Sequence, residues 1–174
     1  ERLQPLFEKI FTDEARITSS LLAAKLGEYV QDEASILFWC WKNGVKVFIP
    51  GLTDGAVGSQ LWLYWQRHRG ISIDPLGDEE ELAAIVFKAK KSGALMIGGG
   101  VSKHHTLWWN QFRGGLDYAV YITTAVEYDG SLSGAEVREA ISWGKVSTRA
   151  KQVTVHGDAT ALLPLMVAAL LERL

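Results

Sequence analysis

The chain is poor in cysteine, in surplus basic charge and in long apolar runs, and each shortage closes off a class of function. One cysteine, Cys40, among 174 residues leaves no internal disulfide, and the thiol is expected to be buried in a reducing, cytoplasmic setting. Lys and Arg number 18 against 20 Asp and Glu. Without a basic surplus to neutralise phosphates, nucleic-acid binding is not expected. No apolar run is long enough for a membrane span, and no signal peptide is visible. Internal repeats, low-complexity stretches and linkers are missing as well. The first residue is Glu1 rather than Met, which points to a fragment or a processed piece.

What is present suits one soluble domain with a sizeable core: 48% hydrophobic residues and a net charge of -2. Seven tryptophans (Trp39, Trp41, Trp62, Trp65, Trp108, Trp109 and Trp143) are expected to fill the core or an interface between subunits.

Along the chain, 5–30 reads as helices broken near Asp13, with Thr18 or Ser19 as N-cap of the second. A helix over 33–42 closes at Asn43-Gly44. Val45–Ile49 reads as a short strand, followed by a glycine-rich turn over 51–58 and a helix of about ten residues. Ile71–Ile73 reads as a strand. Asp78 reads as the cap of a helix reaching Lys90 or Lys91, whose first turn carries Glu79, Glu80 and Glu81. Ala94–Ile97 is a buried strand running into Gly98-Gly99-Gly100 and a helix over 101–112. Tyr118–Thr123 is a strand, 124–134 a polar loop, 135–143 a helix, Val153–His156 the last strand and 159–174 the last helix. Strand and helix alternate at least four times. That pattern predicts an α/β fold, Rossmann-like and doubly wound, with a mainly parallel sheet and helices on both faces. Ligands in such folds sit beyond the carboxyl ends of the strands, where 51–58, 98–105, 123–134 and 156–160 fall.

Local chemistry leaves several readings open. Gly98-Gly99-Gly100 lets backbone N–H groups approach a phosphate or ribose at a helix start, or is simply a tight turn against the sheet. Asp54 is a ribose acceptor or a turn aspartate. Asp158, taken alone, caps the last helix. His104 and His105 are adjacent on a helix and point apart, so they form no metal pair, and no metal is implied. One of them faces a pocket, or both are partly exposed polar residues. Glu139 and Trp143 share a helix face, and Gly144 ends that helix in a left-handed turn, leaving Lys145 just beyond it. A tryptophan and a carboxylate beside a lysine suit a cation site or an activated amine. A solvated lysine after a helix is the commoner arrangement.

Taken together, Leu52-Thr-Asp-Gly55, Gly98-Gly-Gly-Val-Ser-Lys-His-His105, Asp117-Tyr-Ala-Val-Tyr-Ile-Thr-Thr-Ala125, Glu127-Tyr-Asp-Gly130, Glu139-Ala-Ile-Ser-Trp-Gly-Lys145 and Asp158-Ala159 resemble deoxyhypusine synthase. The similarity runs from about Val45 to the C-terminus. It implies a homotetramer of Rossmann-like subunits that uses NAD to move the aminobutyl group of spermidine onto one lysine of the hypusine-bearing translation factor. Lys145 would carry the imine, and His104 would assist proton transfer. Glu139, Trp143, Tyr121 and His105 would bind the amine. Asp54, Gly99, Thr124, Ala125, Asp129, Gly130, Asp158 and Ala159 would hold NAD. Three positions depart from the family pattern. Ser59 and Leu132 replace aspartates that contact the polyamine, and Trp108 replaces an asparagine, which suggests a different donor amine. The whole chain, 1–174, is expected to be the C-terminal catalytic part, with the N-terminal half on a companion chain or removed by truncation. Alternatives are transfer to a free diamine, as in homospermidine synthase, or a non-catalytic regulatory paralogue.

Overall fold

The computed structural model describes residues 3–174. The chain divides into two compact units, Glu1–Leu82 and Ala83–Leu174, which are taken in turn. Both contain parallel strands flanked by helices, the α/β class that the sequence pattern predicts.

The first unit contains α1 (Gln4–Asp13), β1 (Arg16–Ile17), α2 (Ser19–Val30), α3 (Ile36–Lys42), α4 (Ala56–Trp65), β2 (Ser72–Ile73) and the start of α5 (Pro75–Lys88). Phe7, Ile10 and Phe11 recur at helical spacing on α1, so they share one face. They meet Leu22 and Leu26 of α2 and Leu61 and Tyr64 of α4 in a buried cluster. The Tyr64 ring stacks on Phe11 at 5.8 Å and tilts against Phe7 at 5.7 Å. β1 and β2 pair in parallel through Arg16↔Ser72 and Ile17↔Ile73. Thr18 is the N-cap of α2, its hydroxyl accepting from Leu21 N–H at 3.0 Å.

Asp78 and Val45–Ile49 depart from expectation in this unit. Asp78 does not cap its own helix. Its carboxylate is buried and accepts from the Ser19 and Ser20 N–H groups at 2.8 and 2.9 Å, so it caps α2 from 58 residues away. The first N–H groups of a helix lack internal partners, and a carboxylate there also meets the positive end of the helix dipole. Asp78→Ala is therefore expected to destabilise the fold by about 1–3 kcal/mol, read as a lower midpoint in urea unfolding. Asp78→Asn should lose less. Val45–Ile49, expected as a strand, has no ladder partner among the described residues and lies in coil. Apolar composition alone does not make a strand without a neighbouring edge. The segment is tied instead by Ile49 N–H donating to the Ser19 hydroxyl at 2.9 Å.

The second unit holds the end of α5, β3 (Gly93–Ile97), α6 (Val101–Gln111), β4 (Leu116–Thr123), two short 3₁₀ segments (Glu127–Asp129 and Val137–Ile141), β5 (Val146–His156) and α7 (Ala159–Leu171). The three strands form one parallel sheet in the order β3-β4-β5. Side chains alternate across a strand. Met96, Ala119 and Tyr121 therefore lie on one face, packed with Leu107 of α6 and Val137 and Ala140 of the second 3₁₀ segment. Arg113 ties the amino ends of β3 and β4, donating to the Ser92 hydroxyl and the Asp117 carboxylate at 2.7 and 3.1 Å. Ser92 N–H first, and Arg113 next, hold the Asp117 carboxyl below the usual carboxylate range.

Here too the boundaries shift. The helix expected over 135–143 shrinks to the 3₁₀ segment Val137–Ile141. The last strand begins at Val146 rather than Val153. Between the pairs Leu116↔Val146 and Tyr118↔Lys151 the register slips, because five steps along β5 oppose two along β4. Such a bulge breaks the alternation that would reveal the strand. In the first unit, Cys40 on α3 is half-buried rather than buried. No tryptophan joins either buried cluster, and Trp143, at 74% exposure, is the most open of the seven.

Candidate functional site

The carboxyl ends of the three parallel strands carry the polar and glycine-rich groups of the second unit. β3 ends at Gly98-Gly99-Gly100, where Gly98 and Gly100 take φ of +70° and +88°. A Cβ on either would point into open space. A Cβ on Gly99 would collide with Ser133, so that glycine is fixed by close packing of the following loop. β4 ends at Thr123, whose hydroxyl accepts from Ala125 N–H at 3.1 Å, and Thr124 beyond it is exposed. Asp129 closes the first 3₁₀ turn, and Gly130 leaves it with φ of +63°. β5 ends before Asp158, which accepts from Thr160 N–H at 2.7 Å as the N-cap of α7. Hydrogen bonds from Thr160 keep its carboxyl below the usual range. The capping role read from local sequence is thus present, and Ala159 opens the helix beside it. Asp54 belongs to the other unit, exposed in the turn before α4.

The amine-side residues lie along α6 and the segment between β4 and β5. Gly144 takes φ of +69°, a conformation costly for any other residue. Its N–H donates to Ile141 O and that of Lys145 to Ala140 O, which closes the 3₁₀ segment and starts β5. Lys145 O in turn accepts from Leu116 N–H at 3.1 Å, so its backbone marks the amino end of the sheet. The glycine turn and Asp158 mark the other end. At ~3.3 Å per residue, the eight residues of β4 separate the two ends by roughly 23 Å. α6 runs back between them. His104 lies in its first turn, and its ring stacks on Trp108 one turn later, 5.9 Å between centroids. The Lys145 amine stands 5.6 Å from the Trp108 ring centre. Trp143 and Glu139 are exposed nearby in sequence, and His105 is partly buried on α6.

One residue that the sequence reading passed over organises this region. Lys103 is 4% exposed. Its ammonium donates to Leu132 O at 2.9 Å and to Ala135 O at 2.7 Å and lies 3.6 Å from the Tyr121 ring centre. Burial pulls its pKa down to about 8, against the opposing pull of Glu139. Tyr121 is fully buried beneath it, with its hydroxyl donating to Ser133 O at 2.6 Å. Thr123 donates to the same carbonyl at 3.0 Å. Three side chains thus hold the carbonyls of 132, 133 and 135, fixing the loop that leads to Glu139, Trp143 and Lys145. The clue in the sequence was the spacing of Tyr121 and Thr123, two apart on one strand face, opposite a lysine in the first turn of α6.

A parallel sheet with glycine-lined, polar strand ends and a helix starting from the glycine turn defines the ligand-binding α/β class. The comparisons narrow it. A family model for deoxyhypusine synthase matches residues 1–170, and the chain belongs to that family. A probable deoxyhypusine synthase of Picrophilus torridus is 52% identical over 172 residues, covering 99% of this chain and 55% of its relative. One from Thermoplasma volcanium is 50% identical over 171 residues, covering 98% and 55%. A crystal structure from Entamoeba histolytica, described as a candidate deoxyhypusine synthase, superposes with a TM-score of 0.68 at 23% identity. That match covers 96% of this chain and 52% of the other, and at that identity it speaks for the fold alone. The chain spans about half the length of the curated relatives it matches. Among the described residues no helix is long and apolar enough to cross a membrane.

Proposed function

We propose that this chain carries the catalytic part of a cytoplasmic, NAD-dependent transferase. It moves an aminobutyl group from spermidine or a related amine, through an imine on Lys145, to a lysine of the hypusine-bearing translation factor. The observation that carries the reading is the Lys145 amine, set at a glycine-terminated turn and over the Trp108 ring beside His104, in a chain of this family.

The strand ends fit a dinucleotide, because Gly98 and Gly100 leave open space where a side chain would stand. Gly99, Thr124, Ala125, Asp129, Gly130, Asp158 and Ala159 would hold NAD there. When bound, NAD supplies the oxidation of the amine-bearing carbon and the later reduction of the product imine. The chain's own residues bind, orient and exchange. Glu139 offers a carboxylate to a cationic amine, Trp143 an aromatic face to its alkyl chain. His104 takes and returns a proton as the C–N bond changes partners. Tyr121, buried under Lys103, acts by fixing the loop rather than by touching the amine. His105, partly buried at the next position of α6, would add to the amine-binding set. Within one chain the strand ends and the Lys145 backbone lie roughly 23 Å apart, so the reading requires the amine site to meet the dinucleotide of a neighbouring subunit, as the family's tetramer with sites between subunits implies.

The test is incubation of the assembled enzyme with labelled amine and NAD, with and without the translation factor. Label on the factor's lysine supports the proposal. Label only in a free polyamine would assign transfer to a diamine. No transfer of label by an assembly that binds its partner chain would assign a regulatory role.

A further inference from the structure

The rings of His104 and Trp108 on α6 and of Phe112 at its C-cap recur every four residues and so form a stripe along one face. His104 stacks on Trp108 with 20° between the rings, and Phe112 meets Trp108 edge-on at 6.0 Å and 88°. The indole is braced on both sides, yet Trp108 keeps 44% exposure and faces the Lys145 amine. The loop of 131–135 reads Ser-Leu-Ser-Gly-Ala and brings no charge. Its Leu132 and Ala135 carbonyls are already taken by Lys103.

From this arrangement we infer that Trp108 is a specificity-determining residue, whose indole face reads the charge of the donor and selects an α,ω-diamine over a triamine. Hydride leaves the carbon beside an uncharged nitrogen, so a reacting diamine keeps one cationic nitrogen, which one ring face accommodates, whereas a reacting triamine keeps two and needs further carboxylates along its length. The inference rests on the proposed role of Lys145 and fits its chemistry. In the exchange step, the neutral Lys145 amine adds to the carbon of the donor iminium. The C=N bond re-forms to Nζ, and the old nitrogen leaves as neutral ammonia or amine, so the single positive charge passes to the Lys145 iminium. That iminium lies beside Trp108, and the ring faces one cation before and after the exchange.

The test compares kcat/KM for putrescine and spermidine in the assembled enzyme with NAD, for the wild type, Trp108→Asn and Trp108→Phe. Trapping by borohydride at Lys145, read by peptide mass, accompanies each assay. The wild type is expected to favour putrescine. Trp108→Asn should lower that preference by about 3- to 30-fold, mainly through a higher KM, and Trp108→Phe should restore most of it. A wild type that favours spermidine, or a preference unmoved in Trp108→Asn while Lys145 is still trapped, overturns the inference and leaves the role of Lys145 intact. Absence of trapping with either amine in the wild type overturns both.

Discussion

Lys145→Ala is expected to abolish borohydride trapping of the amine and to lower transfer by at least about a thousandfold. The step depends on a primary amine that forms a C=N bond, and no alanine or bound water replaces it. Lys145→Arg separates the chemistry from the charge. A guanidinium keeps the cation beside Trp108 but remains protonated and forms no imine under these conditions. Arginine should therefore preserve amine binding in part and still give no trapped adduct. If either variant retains trapping on this chain, another amine carries the intermediate. Lys103 is the residue to examine next, being the other lysine of the region and one whose pKa is drawn down to about 8. Its geometry argues against that role: its Nζ is committed to two carbonyls and is shielded from solvent.

Periodicity made most of the helices legible. Phe7, Ile10 and Phe11 announce α1, and Thr18 its successor. The turn at Gly144 was legible because a glycine after a helical stretch has a conformational reason. What stayed hidden depends on residues distant in sequence. Asp78 looked like the start of its own helix because acids favour that position, yet its carboxylate serves Ser19 and Ser20. No local rule reveals a cap supplied from 58 residues away. The first half of β5 was hidden by the bulge opposite Leu116 and Tyr118. Val45–Ile49 shows the reverse error, a sequence apolar enough for a strand but with no paired edge in its unit. In the site, local chemistry placed a solvated lysine ahead of a reactive one at 145. The family's ordered motifs raised it, and the indole at 108 became its neighbour only once α6 was folded back along the sheet.

The stability of the second unit is expected to rise with pH between about 8 and 10.5, and Lys103→Met to remove that rise. Unfolded, the Lys103 amine titrates near its ordinary 10.5; folded, burial draws it to about 8. Between those values the unfolded chain binds more protons than the folded one, so raising the pH favours the folded state. Below about 8 both states are protonated, and the folded state bears the full cost of a buried cation. The gain across the window is on the order of 2–3 kcal/mol, seen as an increase in the urea midpoint from pH 7 to pH 10. Methionine abolishes the titration but leaves the Leu132 and Ala135 carbonyls without their donor. The variant should therefore lose about 2–4 kcal/mol at pH 10, where the wild-type amine is neutral and still donates. Lys103→Arg keeps a charge throughout and should also flatten the profile. The same carbonyls anchor the loop ahead of Glu139, Trp143 and Lys145, so Lys103→Met should reduce kcat more than it changes KM. A variant that keeps the wild-type rise in stability with pH would show that another group titrates there, and that the lysine clamp is not its source.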